Sequence, residues 1–207
     1  MTDRLPGVTT IISQNLGWNK QALLSWANKL GLAGKSHRDV LQAAANAGTL
    51  CHRMIDDHIK GKLLDLSGYD HELVRQARAG FDNFLKWKER VGLQVRASEM
   101  YLRSMKHRCA GKIDCVGFVN SRLSIVDWKS AADPYPDTLI QLAVYGILWN
   151  ENFPNEPLTG GYHLLCLGKE DAAFNHRHWD TLPGAFEAFL RLSELHELHG
   201  KLKGLLT

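Results

Sequence analysis

The stretch Gly111-Lys112-Ile113-Asp114-Cys115-Val116-Gly117-Phe118-Val119-Asn120-Ser121-Arg122-Leu123-Ser124-Ile125-Val126-Asp127-Trp128-Lys129-Ser130 reads as two strands joined by a turn. Ile113, Cys115 and Phe118 lie in the first run. Leu123, Ile125 and Val126 lie in the second, which is rich in β-branched residues. Asn120-Ser121-Arg122 has the composition of the turn between them. An antiparallel hairpin pairs the start of one strand with the end of the other, which brings Asp114 beside Asp127. Alternation then sends Asp127 and Lys129 to one face and Trp128 to the other. Two carboxylates and an ammonium in one place are costly to bury unless a cation joins them. Oxygen donors of this kind suit Mg²⁺ or Mn²⁺. A solvated surface hairpin with one salt bridge accounts for the same triple.

Outward from the hairpin the chain changes character. Residues 1–92 read as mainly helical. Thr9 or Thr10 is placed to cap a short first helix. A second runs over Lys20–Leu32, where the spacing of Leu23, Leu24, Trp26, Ala27 and Leu30 predicts a core-facing stripe. Residues 37–60 form a long helical pattern with Val40, Leu41, Ala44, Ala45, Leu50, Met54, Ile55 and Ile59 as its apolar positions. Gly48, Thr49 and His52 share one face of it. A glycine inside a helix costs up to ~1 kcal/mol relative to alanine, so a close neighbour is expected at Gly48. Taken alone, His52 fits a satisfied core histidine as well as a ligand. Another amphipathic helix covers residues 70–91, with Arg75, Arg78, Lys86, Lys88 and Arg90 as basic surface.

Residues 93–180 hold the predicted sheet. A strand from Val95 to Ser104 contains Glu99, and Met105–Arg108 forms a turn before the acidic hairpin. A breaker-rich loop, 131–136, leads into a helix over Pro136–Glu151, with Pro136 at its start. Gln141 and Tyr145 sit one turn apart on that helix. Two further strands follow around Gly160–Leu167 and Asp171–Trp179, with Gly168-Lys-Glu-Asp between them. Residues 181–207 close with a helix whose His196 and His199 read as solvated.

Five words resemble, in order, the motifs of the PD-(D/E)XK nuclease superfamily in its RecB-like exonuclease branch. They are Gly48-Thr49-x-x-His52, Glu99, Gly111-x-Ile-Asp114, Asp127-x-Lys129 and Gln141-x-x-x-Tyr145. The opening Val8-Thr-Thr-Ile and the Leu23-x-x-Trp26-Ala helix are similar to phage members of that branch and to the mitochondrial genome-maintenance exonuclease. Ile113 stands where the superfamily pattern has proline, next to an intact carboxylate.

The resemblance implies an α/β fold with a restriction-endonuclease-like core: a mixed central β-sheet flanked by helices, preceded by an N-terminal helical segment. It implies a metal-dependent DNA exonuclease. Asp114, Asp127, Lys129 and Glu99 are its catalytic residues. His52, Asp114, Asp127 and the Trp128 backbone carbonyl hold one or two Mg²⁺ or Mn²⁺ ions. Gln141, Tyr145 and Thr49 meet the substrate, and Tyr135 and Trp149 are the aromatic candidates for base stacking. The expected partners are DNA with a free end and a single-strand-binding or recombination protein. An endonuclease of the same superfamily and a non-catalytic nucleic-acid-binding protein are the rival readings.

Composition bounds these readings without choosing among them. At 207 residues one domain, 1–207, is the expectation, with enough chain for a sizeable core. A net charge of +3 permits nucleic-acid binding but does not require it. Cys51, Cys109, Cys115 and Cys166 contain no CxxC pair, which argues against zinc. A single cysteine after position 115 argues against the iron–sulfur cluster of some RecB-like nucleases. No apolar run is long enough to span a membrane, and no secretory segment is recognised. The expected location is the cytoplasm, that of the bacterial host if the chain is phage-encoded.

Overall fold

The computed structural model describes residues 5–130, 134–168 and 174–206. The elements run α1 (Val8–Asn15), α2 (Lys20–Leu32), α3 (His37–Ile59), α4 (His71–Val91), β1 (Gln94–Ser104), β2 (Cys109–Val119), β3 (Arg122–Lys129), α5 (Pro136–Asn152), β4 (Tyr162–Cys166), β5 (Asn175–Trp179) and α6 (Ala185–Gly204). The five strands form one sheet in sequence order. Only the β3–β4 pairing is parallel. Parallel neighbours need a crossover, and α5 supplies it. The fold is thus α/β with a mixed sheet flanked by helices, as the restriction-endonuclease-like reading expects.

Local chemistry sets the element boundaries. Asn120 and Ser121, both at positive φ (49° and 63°), make the two-residue β2–β3 turn. Such turns match the right-handed twist of the strands they join. Arg122 already pairs with Val119, so the turn is one residue shorter than its composition indicates. The Asp70 carboxylate caps α4 by accepting from the Glu72 and Leu73 N–H groups, and Gly92, in the left-handed region, ends it. The first helix is capped otherwise than expected. Its N-cap is Gly7, and Thr9 and Thr10 lie within α1. An eight-residue helix is marginal alone. Burial of Val8, Ile11 and Ile12, at roughly 1.5–3 kcal/mol each, holds this one.

The sheet separates two cores. On one side α1, α5 and α6 pack Ile11, Leu142, Leu148 and Phe189 against Ile113, Ile125 and Leu164. On the other, α3 and α4 pack Met54, Ile55, Phe84 and Trp87 against Cys115, Val126 and Trp128. The cysteines divide between the two cores, Cys109 and Cys166 in the first, Cys51 and Cys115 in the second, all as free thiols.

Three expectations are corrected. Helix α2 buries none of its residues: Leu23 and Leu24 face solvent, and Trp26 is half-buried. Val40 and Leu41, at the start of α3, are also exposed. Periodicity identifies an apolar stripe but not whether another element is there to cover it. Trp149 is fully buried, stacked on Phe153 with its Nε1–H donated to the Glu156 carbonyl, so it cannot stack on a base. Residues 131–133 of the expected loop and 169–171 of the expected β4–β5 turn lie outside the described residues. None of the described helices is long and apolar enough to cross a membrane.

Candidate active site

The acids reach their places through a shared kink in β1 and β2. Ala97 and Met100, three residues apart, both pack on the α5 side of the sheet, as do Ile113 and Val116. Strict alternation forbids this. Each strand therefore turns two successive residues toward α3. On β1 these are Ser98, whose hydroxyl donates to Asp56 Oδ1, and Glu99, beside His52. On β2 they are Asp114, beside His52, and Cys115 in the α3–α4 core. Register is unchanged across the kink, with Ser98 opposite Cys115 and Met100 opposite Ile113; the shift in β1 falls earlier, between Val95 and Ala97. Glu99 itself has φ 50°. For a residue with a Cβ this costs on the order of 1–2 kcal/mol. The strain sits at the one position where it delivers a carboxylate into the cleft.

Two glycines let the flanking helices approach. A Cβ on Gly48 would lie 3.0 Å from Ser130 Oγ, so this glycine brings α3 against the end of β3. The close neighbour expected at Gly48 is therefore present. A Cβ on Gly111 would lie 2.8 Å from Tyr145 Cε1, a rigid ring edge on α5.

A cleft of about 590 Å³ results. Gly48, Thr49, His52, Glu99, Asp114 and Ser130 line it, with Ala45, Arg53, Asp56 and Lys112 around them. His52 Nδ1 stands 3.9 Å from Glu99 Oε1 and 3.8 Å from Asp114 Oδ1. One ligand atom from each of His52, Glu99 and Asp114 lies within 4.8 Å of the others. Asp127 is outside that set. Leu123 and Ile125 face α5, and alternation carries Asp127 and Lys129 to the same side. Lys129 Nζ lies 2.6 Å from Asp127 Oδ2. The two acids are coupled through the backbone between them: the Trp128 N–H donates to Asp114 Oδ2 at 3.2 Å. In an extended strand a residue's N–H and C=O point to the same side, so the Trp128 carbonyl faces Asp114 as well. On α5, Gln141 Nε2 donates to the Tyr145 hydroxyl at 2.8 Å. Thr49 is exposed at the cleft, and Tyr135 is exposed at the N-cap of α5.

The electrostatics are those of an under-neutralised acidic site. Burial first, and then the negative charge of Asp127, push the Asp114 pKa up to about 7. Burial works against a charged His52, but the Glu99 and Asp114 carboxylates outweigh it and raise its pKa. Burial likewise opposes ionisation of Glu99, and His52 and Lys112 reverse that, holding its pKa below the usual range. Lys129 is kept protonated by Asp127 and Asp114 despite its burial.

These residues fit a divalent cation. Both oxygens of the fully buried Asp127, and Glu99 Oε1, lack a hydrogen-bond partner among the described residues. The Lys129 contact is an ion pair outside hydrogen-bond geometry. Native proteins rarely leave such oxygens unsatisfied. Carboxylates with one imidazole form a hard, mainly oxygen donor set, matched to Mg²⁺ or Mn²⁺ rather than to soft-ligand metals.

Four residues at the cleft escaped the sequence reading: Lys112, Arg53, Asp56 and Ser130. Lys112 pairs with Glu99 across the β1–β2 ladder, and its position two residues before Asp114 was the available signal. Arg53 and Asp56 follow His52 by one and four residues on α3 and carried only the ordinary signal of a solvated helix face.

Residues 24–197 match the sequence model of the PD-(D/E)XK nuclease superfamily, and the chain belongs to that superfamily. Its nucleases use divalent metals. No curated protein matches the chain. Among solved structures, the chain is similar to SSO0001, at 12% identity over 73% of this chain and 72% of that one, with a TM-score of 0.37. It is also similar to LHK-Exo in complex with dAMP, at 13% identity over 73% of this chain and 78% of that one, with a TM-score of 0.36.

Proposed function

We propose that this protein is a metal-dependent DNA exonuclease of the RecB-like branch. The observation that carries the catalytic reading is that two buried carboxylate oxygens, Asp127 Oδ1 and Glu99 Oε1, have no hydrogen-bond partner among the described residues, next to Asp114, His52 and the Lys129 ammonium. His52, Asp114, Asp127 and the Trp128 carbonyl would hold one or two Mg²⁺ or Mn²⁺ ions, with Glu99 on the second ion or on its water. When bound, the ion lowers the pKa of a coordinated water and offsets charge on the phosphate.

The chain's own residues do the rest. Lys129 is protonated and anchored by Asp127, so its ammonium can meet the negative charge that builds on the phosphate in the transition state; one such preorganised interaction is worth about 3–4 kcal/mol. Tyr145 is buried, so it acts by holding the half-buried Gln141, which is the residue on α5 that can meet the substrate backbone beside the acids. Thr49 offers a hydroxyl to the same strand from the α3 side.

Preference for a free end is supported by the likeness of the five motifs, from Gly48 to Tyr145, to RecB-type exonucleases. Product analysis on end-labelled linear DNA with Mg²⁺ or Mn²⁺ tests the reading. Mono- or short oligonucleotides released from the ends are expected, with covalently closed circles resistant. Rapid linearisation of closed circles moves the assignment to an endonuclease. Absence of metal-dependent cleavage on both substrates leaves a non-catalytic binding protein.

A further inference from the structure

The face of α3 that lines the cleft does not stop at the cleft. Arg38, Leu41, Ala45, Thr49 and His52 follow one another at helical spacings of three and four residues, so they lie along one side of the helix. From Arg38 to His52 is 14 residues, roughly 21 Å at 1.5 Å per residue. Leu41 is 47% exposed, and Arg38, Ala45 and Thr49 are exposed too. Nothing in the described fold covers this side. It is an open ramp several nucleotides long that ends at the candidate metal ligands.

The segment that carries the ramp is mostly positive. Between Gly17 and Ala45, four cations, Lys20, Lys29, Lys35 and Arg38, face a single acid, Asp39. That +3 equals the net charge of the whole protein. All four cations are exposed. The same segment carries apolar side chains in water: Leu24 is 65% exposed, and Val40 joins Leu41. A duplex presents phosphates outward and hides its bases. A single strand presents both, and stacks its bases on apolar surface while cations follow its backbone.

We propose that the exposed face of α3 from Arg38 to Thr49, with α2 beside it, is a track that leads one unpaired polynucleotide strand into the cleft. This rests on the nuclease reading for what happens at the end of the track, but binding along it needs no turnover. The test is therefore fluorescence anisotropy of a labelled 15-nucleotide single strand in EDTA, for wild type, Arg38→Ala and Leu41→Asp. Both positions are exposed, and melting curves confirm that the variants fold.

The expected result for Arg38→Ala is a three- to tenfold weaker Kd and a salt-dependence slope smaller by about 0.7, the value for one lost phosphate contact on a single strand. Leu41→Asp is expected to weaken single-strand binding at least threefold more than binding of a duplex of equal length. Unchanged affinity and slope in Arg38→Ala overturn the track, and equal losses for both substrates in Leu41→Asp overturn its preference for an unpaired strand. Sedimentation showing a dimer that Leu41→Asp dissociates, with strand binding intact, assigns the face to a second copy of the chain instead. Loss of metal-dependent cleavage in wild type with strand binding retained removes the nuclease reading and leaves the track standing.

Discussion

Replacing His52 by alanine separates a ligand from a packing residue. The imidazole has no hydrogen bond among the described residues; the carboxylates it pairs with, on Glu99 and Asp114, are 3.8–3.9 Å away. Its side chain is 31% exposed, and its ring contact is one edge-on approach to Trp128 with centroids 6.0 Å apart. Truncation therefore breaks no hydrogen bond and leaves a cavity that water can enter; what it removes is the weak ion pairing with Glu99 and Asp114, so the metal-free protein should lose about 1 kcal/mol or less. Losing a ligand should weaken the metal by at least the ~10–100-fold seen for outer-shell changes. Melting curves read both quantities. With Mn²⁺ at 100 times the wild-type Kd, binding stabilises the wild type by about 2.7 kcal/mol. For a domain of this size that raises Tm by about 5–10 °C. A variant bound 100-fold more weakly gains only ~0.4 kcal/mol, or about 1 °C. The opposite pattern, a metal-free loss of about 1–3 kcal/mol with the full Mn²⁺ shift retained, would make His52 a structural histidine and refute the argument.

Three other outcomes are expected. Asp127→Asn and Lys129→Ala should each abolish cleavage while DNA binding, spread over many basic residues, stays within a few-fold of wild type; near-normal turnover of either variant in Mg²⁺ removes it from the site. Glu99→Gly relieves a positive-φ residue and loses the ion pair to Lys112, two opposed effects, so the metal-free protein should melt within a few degrees of wild type while Mn²⁺ affinity, read by calorimetry, falls at least tenfold; unchanged Mn²⁺ affinity would remove Glu99 from the site. The third concerns His163, buried beside Trp87, stacked on His178 and hydrogen-bonded through Nδ1 to His176 Nε2 at 2.9 Å, where burial and then those two histidines push its pKa down to about 3. Its folded pKa lies below its unfolded value near 6.5, so its stabilisation is complete above that pH and is lost as pH falls toward 3. Between pH 7.5 and 5 wild type should lose about 2 kcal/mol relative to His163→Gln in urea unfolding. The comparison with the variant is needed because Asp114, with its pKa raised to about 7, acts in the opposite direction in the metal-free protein. A difference that stays constant with pH would mean that His163 protonates freely inside the fold.

Much of this protein is legible in its sequence, because its strongest signals are local. The β2–β3 hairpin follows from β-branched runs around an Asn-Ser turn, and its pairing brings Asp114 next to Asp127 by register alone. The Pro136 start of α5 is likewise chemistry of neighbouring residues, and the cost of a glycine inside a helix already marks Gly48, although the neighbour it admits, Ser130, comes from a distant element. What the tertiary structure decided is which side chains share a space. Period-two alternation gives no hint that β1 and β2 kink together at Glu99 and Asp114, yet that kink turns both acids toward His52, in a different element. Lys112 joins them only because β1 lies alongside β2. The apolar stripe of α2 and the first turns of α3 has the same periodicity as a core stripe, and only the absence of a covering element among the described residues leaves it in water. Turns, caps and alternation are set by residues a few positions apart, whereas burial and ligand spheres depend on where distant elements come to rest, and a single chain read in order contains no term for that.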